Sequence, residues 1–216
     1  MTISTRAELK TALTTWLVRS DLISLYDDFI TLAEIELNSK LRLLQQEAGP
    51  TSVSLSQAAT TATLPTRFLD LISLRWSDID GGPEQRTLDQ IAAMSTTGSG
   101  RPSNFAVSAA FVFDRPADQA YTLKSRHFEK WSLGTQTTDT NWLLTNAPDA
   151  YLYACLAVAA DYARNLKDPA TLWIAKREDA IQRLNRLDAK ARRSAPLTSD
   201  VALLSRRGSG YDITTG

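Results

Sequence analysis

The sequence predicts a mainly α protein: a four-helix bundle-like body, a β-rich subdomain inserted between its helices 2 and 3, and an extended C-terminal arm. Three observations predict it. Apolar residues recur at helical spacing towards both ends of the chain but alternate with polar ones in the middle. The middle is punctuated by turn-forming clusters, among them Asp80-Gly81-Gly82-Pro83 and Asp114-Arg115-Pro116-Ala117-Asp118. The last twenty residues are polar and glycine-containing, with one apolar kernel from Val201 to Leu204. The segments are 1–48 for the N-terminal helical pair, 49–140 for the β-rich insertion, 141–195 for the C-terminal helical hairpin and 196–216 for the arm.

The first helix is expected from about Thr5 to Ser20. Ser4 or Thr5 serves as N-cap, and Glu8 stands at capping-box spacing from Thr5; Leu9, Leu13, Trp16 and Leu17 share one face. A break at Arg19-Ser20-Asp21 leads to a second helix reaching Gln46, stopped by Gly49-Pro50. Its stripe is Tyr26, Ile30, Ala33, Leu37, Leu41 and Leu44, and Phe29, Leu32 and Ile35 widen the face enough to meet more than one neighbour. Val53 and Leu55, then Ala62 and Leu64, alternate as strands do. Phe68–Trp76 is the clearest strand, Thr87–Met94 two helical turns, and Phe105–Val107 with Ala110–Phe113 a hairpin. A further strand opens at Tyr121. The third helix is expected from an Asn146 N-cap, with Pro148 and Asp149 in its first turn, and it is apolar nearly all round. The fourth is expected to start at Asp168-Pro169 and end at Pro196. Leu172, Trp173, Ala180, Ile181, Leu184, Leu187 and Ala191 line its inner side, and Lys176, Arg177, Arg183, Arg186, Lys190, Arg192 and Arg193 its outer side.

Composition removes several kinds of chemistry. The 216 residues carry 24 Lys+Arg and 24 Asp+Glu, so net charge draws the chain neither to nucleic acid nor to anionic lipid. The charge is nonetheless divided, with 13 cations against 18 anions in 1–163 and 11 against 6 in 164–216. Cys155 stands alone in an apolar run and His127 is the sole histidine, so cysteine clusters and multi-histidine metal sites are out of reach. No phosphate-binding loop, nucleophile elbow or zinc-binding motif is present, and no cofactor is implied. The carboxylate pairs Asp27-Asp28, Glu34/Glu36, Asp78/Asp80 and Glu178-Asp179 read as solvated helix or loop charges, since helical neighbours diverge by about 100°. Trp16 and Trp173 fall on core stripes, whereas Trp76, Trp131 and Trp142 are expected where insert meets body. No signal peptide and no membrane-spanning run is read, so synthesis in a reducing cytoplasm is expected.

Two phrases carry more information than the rest: GRPSNFAVSAAFVFDRPADQAYTL, from Gly100 to Leu123, and TNWLLTNAPDAYLYACLAVAADYARN, from Thr140 to Asn165. Through Gly100, Pro102, Phe105, Ala106, Val107, Phe113, Pro116, Asp118, Tyr121 and Leu123 the first resembles the portal-to-tail adaptor (head-completion, or head–tail connector) proteins of tailed bacteriophages. Asn141–Leu144, Ala147–Ala154, Leu156 and Tyr162 extend the resemblance, which covers about residues 1–195.

The resemblance implies a virion structural protein rather than an enzyme. It implies a twelvefold ring of copies of itself between the portal protein and a downstream tail or nozzle protein, with genomic DNA passing non-specifically through the channel and no membrane contact. The β insert would face the next tail component. A C-terminal extension would reach along the portal, making Leu203, Leu204, Arg206, Arg207, Tyr211 and Ile213 the docking residues. Other readings stay open: another neck or tail-completion ring protein, a helical nucleic-acid-binding protein using Arg183 and Arg186 of the fourth helix, or, last, a carboxylate-dependent cell-wall hydrolase.

Overall fold

A computed structural model describes residues 3–94, 97–163 and 170–193. Helices make up 46% and strands 22% of it, so the fold is mixed α/β and the expectation of a mainly α chain is corrected. The physical reason is that the strands bury their own apolar faces against one another, in two sheets of three and four strands with a separate hydrophobic core.

Helix α1 (Arg6–Leu17) starts where expected. Thr5 Oγ1 accepts from the Glu8 N–H at 3.3 Å, while the Glu8 carboxylate accepts from the N–H groups of Thr5 and Ser4 at 3.1 and 2.7 Å. Leu9, Leu13 and Leu17 are buried, but Trp16 is 43% exposed. Helix α2 (Tyr26–Lys40) ends well short of Gln46, and Gly49-Pro50 falls inside strand β1 (Glu47–Leu55) rather than stopping a helix. Leu41 and Leu43 explain the early stop, because both are buried in the helical core. Residues two apart point about 200° apart on a helix but to the same side of an extended chain. Leu44, expected on the stripe, is exposed. At Gly49 the backbone has φ of 115°, and a Cβ there would lie 2.5 Å from the Ser125 carbonyl oxygen, so glycine is required at this bulge.

The other strands are β2 (Thr61–Thr63), β3 (Phe68–Trp76), β4 (Glu84–Gln85), β5 (Asn104–Val107), β6 (Ala110–Phe113) and β7 (Tyr121–Glu129), and α3 (Leu88–Met94) follows β4. The first sheet has the order β1-β7-β3 and is antiparallel; the second has the order β2-β6-β5-β4, with only β4 and β5 parallel. Val53, Leu55, Leu74, Trp76, Tyr121 and Leu123 of the first sheet share a core with Ala62, Phe105, Phe111 and Phe113 of the second. Strand β4 follows directly on the Asp80–Pro83 turn. Trp76 belongs to this core, not to the junction with the helices.

After β7 the chain enters the helical core through Trp131 and Leu133. It then forms α4 (Trp142–Asn146), α5 (Pro148–Tyr162) and α6 (Ala170–Arg193). The expected N-cap at Asn146 is corrected. Asn141 caps α4, accepting from the Leu144 N–H at 2.9 Å, and α5 begins directly at Pro148, whose missing N–H costs nothing at that position. Helix α5 is buried along most of its length and packs on α1, α2 and α6. On α6, Trp173, Ala180, Ile181 and Leu184 face the core; Leu172 and Leu187, expected there, are exposed. Arg177, expected on the outer side, is buried with its guanidinium on the carboxylates of Glu36 and Glu178. The expected start at Asp168-Pro169 and stop at Pro196 lie outside the described residues.

Candidate functional site

None of the carboxylate pairs weighed for hydrolysis converges on a common point, and one member of each is taken up by cations. Asp27 holds Arg6 and Lys10, Asp78 holds Arg101, and Glu36 and Glu178 share Arg177 and Lys40. His127 is completely buried, stacked on Phe68 at 5.6 Å. Cys155 is equally buried, and desolvation pushes its thiol well above the ordinary range, so it is inert. Among the described residues no group of three or more His, Cys, Asp or Glu is placed to hold a metal ion, and no helix is long and apolar enough to cross a membrane.

The residues of the first phrase build a rigid frame. The Gly100 N–H donates to the Pro116 carbonyl at 2.9 Å, and the Tyr121 hydroxyl donates to Asp118 at 2.7 Å. Asp114 is buried and accepts from the Ser103 N–H and hydroxyl at 3.1 and 3.0 Å and from Asn104 Nδ2 at 3.2 Å. Burial works to raise its pKa, yet the hydrogen bonds from Asn104 and Ser103 outweigh this and hold the carboxyl below its ordinary value. The Arg101 guanidinium lies 5.1 Å from the Trp76 ring centre and 4.6 Å from that of Tyr121.

The second phrase anchors a strap, residues 130–140, that leads from the strands into the helices. Asn38 of α2 pairs with the Trp131 backbone both ways, donating to its carbonyl at 2.9 Å and accepting from its N–H at 2.7 Å. Glu34 accepts from the Leu133 N–H at 2.6 Å and the Tyr151 hydroxyl at 3.1 Å, and Tyr151 in turn accepts from Asn141 at 2.8 Å. Arg6 donates to the carbonyls of Leu133, at 2.7 Å, and Gly134. Trp142 stacks on Trp131 with ring centres 6.0 Å apart. These motif residues position backbone; they do not converge on a substrate.

A family model described as SU10 adaptor protein matches residues 4–200, nearly the whole chain. The chain belongs to this family of phage adaptor proteins. A search of curated proteins gave no match. The matched span of the adaptor takes in α1 and α2, both sheets, the strap and the helices after it, so the frame and strap both lie within it. The docking candidates Leu203, Leu204, Arg206, Arg207, Tyr211 and Ile213 lie outside the described residues and beyond the matched span. Two surfaces of the adaptor escaped sequence reasoning. Leu32 and Ile35, expected to meet a neighbouring element, point away from the core at 50% and 62% exposure. Ile35 borders a groove of about 280 Å3 shared with Asn38, Ser39, Arg42, Leu69 and Lys130. The outer face of the first sheet carries Arg75, Lys124 and Arg126, which only strand register brings together.

Glu34 gives the strap a pH signature. Desolvation raises its pKa above the ordinary carboxylate value, and the bonds from Leu133 and Tyr151 only partly oppose this. A raised folded-state pKa means that the contribution is fully present below the unfolded value and is lost as pH rises through the folded one. Glu34→Gln keeps an oxygen acceptor for both donors but does not titrate. In urea melts between about pH 4 and pH 8, the stability difference is expected to move steadily in favour of the glutamine variant as pH rises. A difference independent of pH would refute this role for Glu34.

Proposed function

We propose that this adaptor is a virion protein of the head–tail junction, where copies of it form a twelvefold ring between the portal protein and a downstream tail or nozzle protein, with genomic DNA passing through the channel. In this reading residues 1–48 and 141–195 act as the ring body and 49–140 as the part that meets the tail. Residues 196–216 act as an arm that docks on the portal through Leu203, Leu204, Arg206, Arg207, Tyr211 and Ile213. The observation that carries the reading is the family match over residues 4–200. The outward pair Leu32 and Ile35 supports self-association, because an apolar face left open on a subunit is what a heterologous ring contact covers.

Gold-labelled antibody against this protein, imaged on purified phage particles, is expected to mark the head–tail junction alone. Particles that lack the protein by mass spectrometry, or label elsewhere on the virion, would overturn the reading.

A further inference from the structure

The first sheet turns one face to the second sheet and the other to solvent. Strand alternation puts Ser52 and Ser54 of β1, Thr122, Lys124 and Arg126 of β7, and Ser73 and Arg75 of β3 on the solvent side. Register sets Arg75 directly opposite Lys124 and Ser73 opposite Arg126, and on the other flank Ser52 opposite Lys124. Among the described residues, neither the Arg75 nor the Lys124 side chain has an ion-pair or hydrogen-bond partner. Arg126 reaches Glu47 at 3.1 Å, but that carboxylate also serves Arg192 at 2.8 Å. Pro50, Ser73, Arg75, Trp76, Lys124 and Arg126 line a groove of about 290 Å3 on this face.

Like charges directly opposite across strands destabilise a sheet. Lysine is often placed on a strand to keep an exposed edge from pairing, but β7 is the central strand of the three and has no free edge. A protein partner would be expected to find an apolar patch core on such a surface. Around the Arg75–Lys124 pair the outward side chains are cations and hydroxyls; the carboxylates of this face, Glu47 and Asp70, stand at its far end opposite Phe128, where Glu47 holds Arg126 and Arg192 and Asp70 lies 3.5 Å from Arg42. Hydroxyls and guanidinium or ammonium donors are the groups that contact phosphates without reading sequence.

We propose that the outer face of the β1-β7-β3 sheet binds the phosphodiester backbone of nucleic acid independently of sequence, through Arg75, Lys124 and Arg126 with the flanking serines. This goes beyond the adaptor reading and does not depend on it, because the binding belongs to the free subunit whereas junction placement is read on particles.

The test is fluorescence anisotropy of the full chain with a labelled duplex DNA of arbitrary sequence, titrated at several salt concentrations. Three phosphate contacts give a log–log salt slope of about −2.7, or about a 40-fold loss of affinity between 50 and 200 mM salt. Arg75→Ser with Lys124→Ser is expected to weaken binding at least about tenfold at low salt and to reduce the slope to about −0.9. Arg75→Glu guards against a folding artefact. It places a carboxylate opposite Lys124, so it is expected to melt no lower than the parent while still losing affinity. Arg183→Ser with Arg186→Ser, on α6, is expected to leave binding unchanged. The proposal is overturned if the parent binds no duplex at low salt, if the α6 variant rather than the sheet variants loses binding, or if polyglutamate competes as well as duplex. That last result would assign the face to an acidic protein segment.

Discussion

Replacing Asn38 by alanine is expected to destabilise the subunit by about 2–4 kcal/mol, more than any surface substitution made in the other tests. Asn38 is buried, and its amide satisfies both the N–H and the carbonyl of Trp131, where the chain leaves β7 for the helical core. Alanine removes both partners and fills none of the space. A buried backbone donor and acceptor are then left unpaired, at about 1–3 kcal/mol each, less whatever entering water recovers. For a chain of this size that corresponds to a fall in melting temperature of roughly 5–15 °C. Asn38→Asp is expected to be no milder, since it keeps the acceptor, loses the donor and places a charge in the same site. Thermal melts followed by circular dichroism check this; a shift below about 2 °C for Asn38→Ala would mean that the strap is not held as described.

Asn38 also marks where sequence reading reaches its limit. Signals confined to a few neighbouring residues were legible: the Thr5–Glu8 capping box, the α3 turns after Thr87, and the hairpin of β5 and β6. Features set by distant partners were not. A lone asparagine on an otherwise helical stripe carries no sign that it will meet Trp131. Arg177 reads as one more cation on a basic helix until Glu36 is brought beside it. The end of α2 was misplaced because Leu41 and Leu44 continue the helical period, while the requirement to bury Leu43 is tertiary. The fold class was misjudged for a related reason. Short alternating strands look like decoration on a helical body until the facing of Phe68 on Phe111, at 6.0 Å, reveals a second core. The family resemblance was visible because its residues fix turns and caps, local tasks that leave fixed spacings. The basic sheet face left no such trace, since Arg75 and Lys124 are opposed only through register.

Deleting residues 197–216 is expected to abolish attachment to the portal while leaving the subunit folded. Among the described residues, the members of the helical core on α6 are Trp173, Ala180, Ile181 and Leu184, all well before the deletion point. Among the described residues, the members of the strand core run from Val53 to Leu123. Loss of a segment that acts only as a docking arm should change stability by no more than about 0.5 kcal/mol, as surface changes generally do. Binding is a different matter. In the proposed arm, Val201–Leu204 is the only apolar run and Arg206-Arg207 the only paired charge, so their removal takes the whole contact rather than weakening it by degrees. Co-sedimentation with assembled portal measures this, and thermal melting of the same preparation verifies the fold. Leu203→Ser with Leu204→Ser in the full-length chain separates the apolar contribution from the mere presence of a tail, and is expected to reproduce most of the loss. Arg206→Ser with Arg207→Ser is expected to leave attachment at low salt but make it fail as salt is raised, because screening acts on the charged part alone. Full attachment by the truncated protein would move the portal contact from the arm to the described body of the subunit, with the open Leu32–Ile35 face as the next surface to substitute.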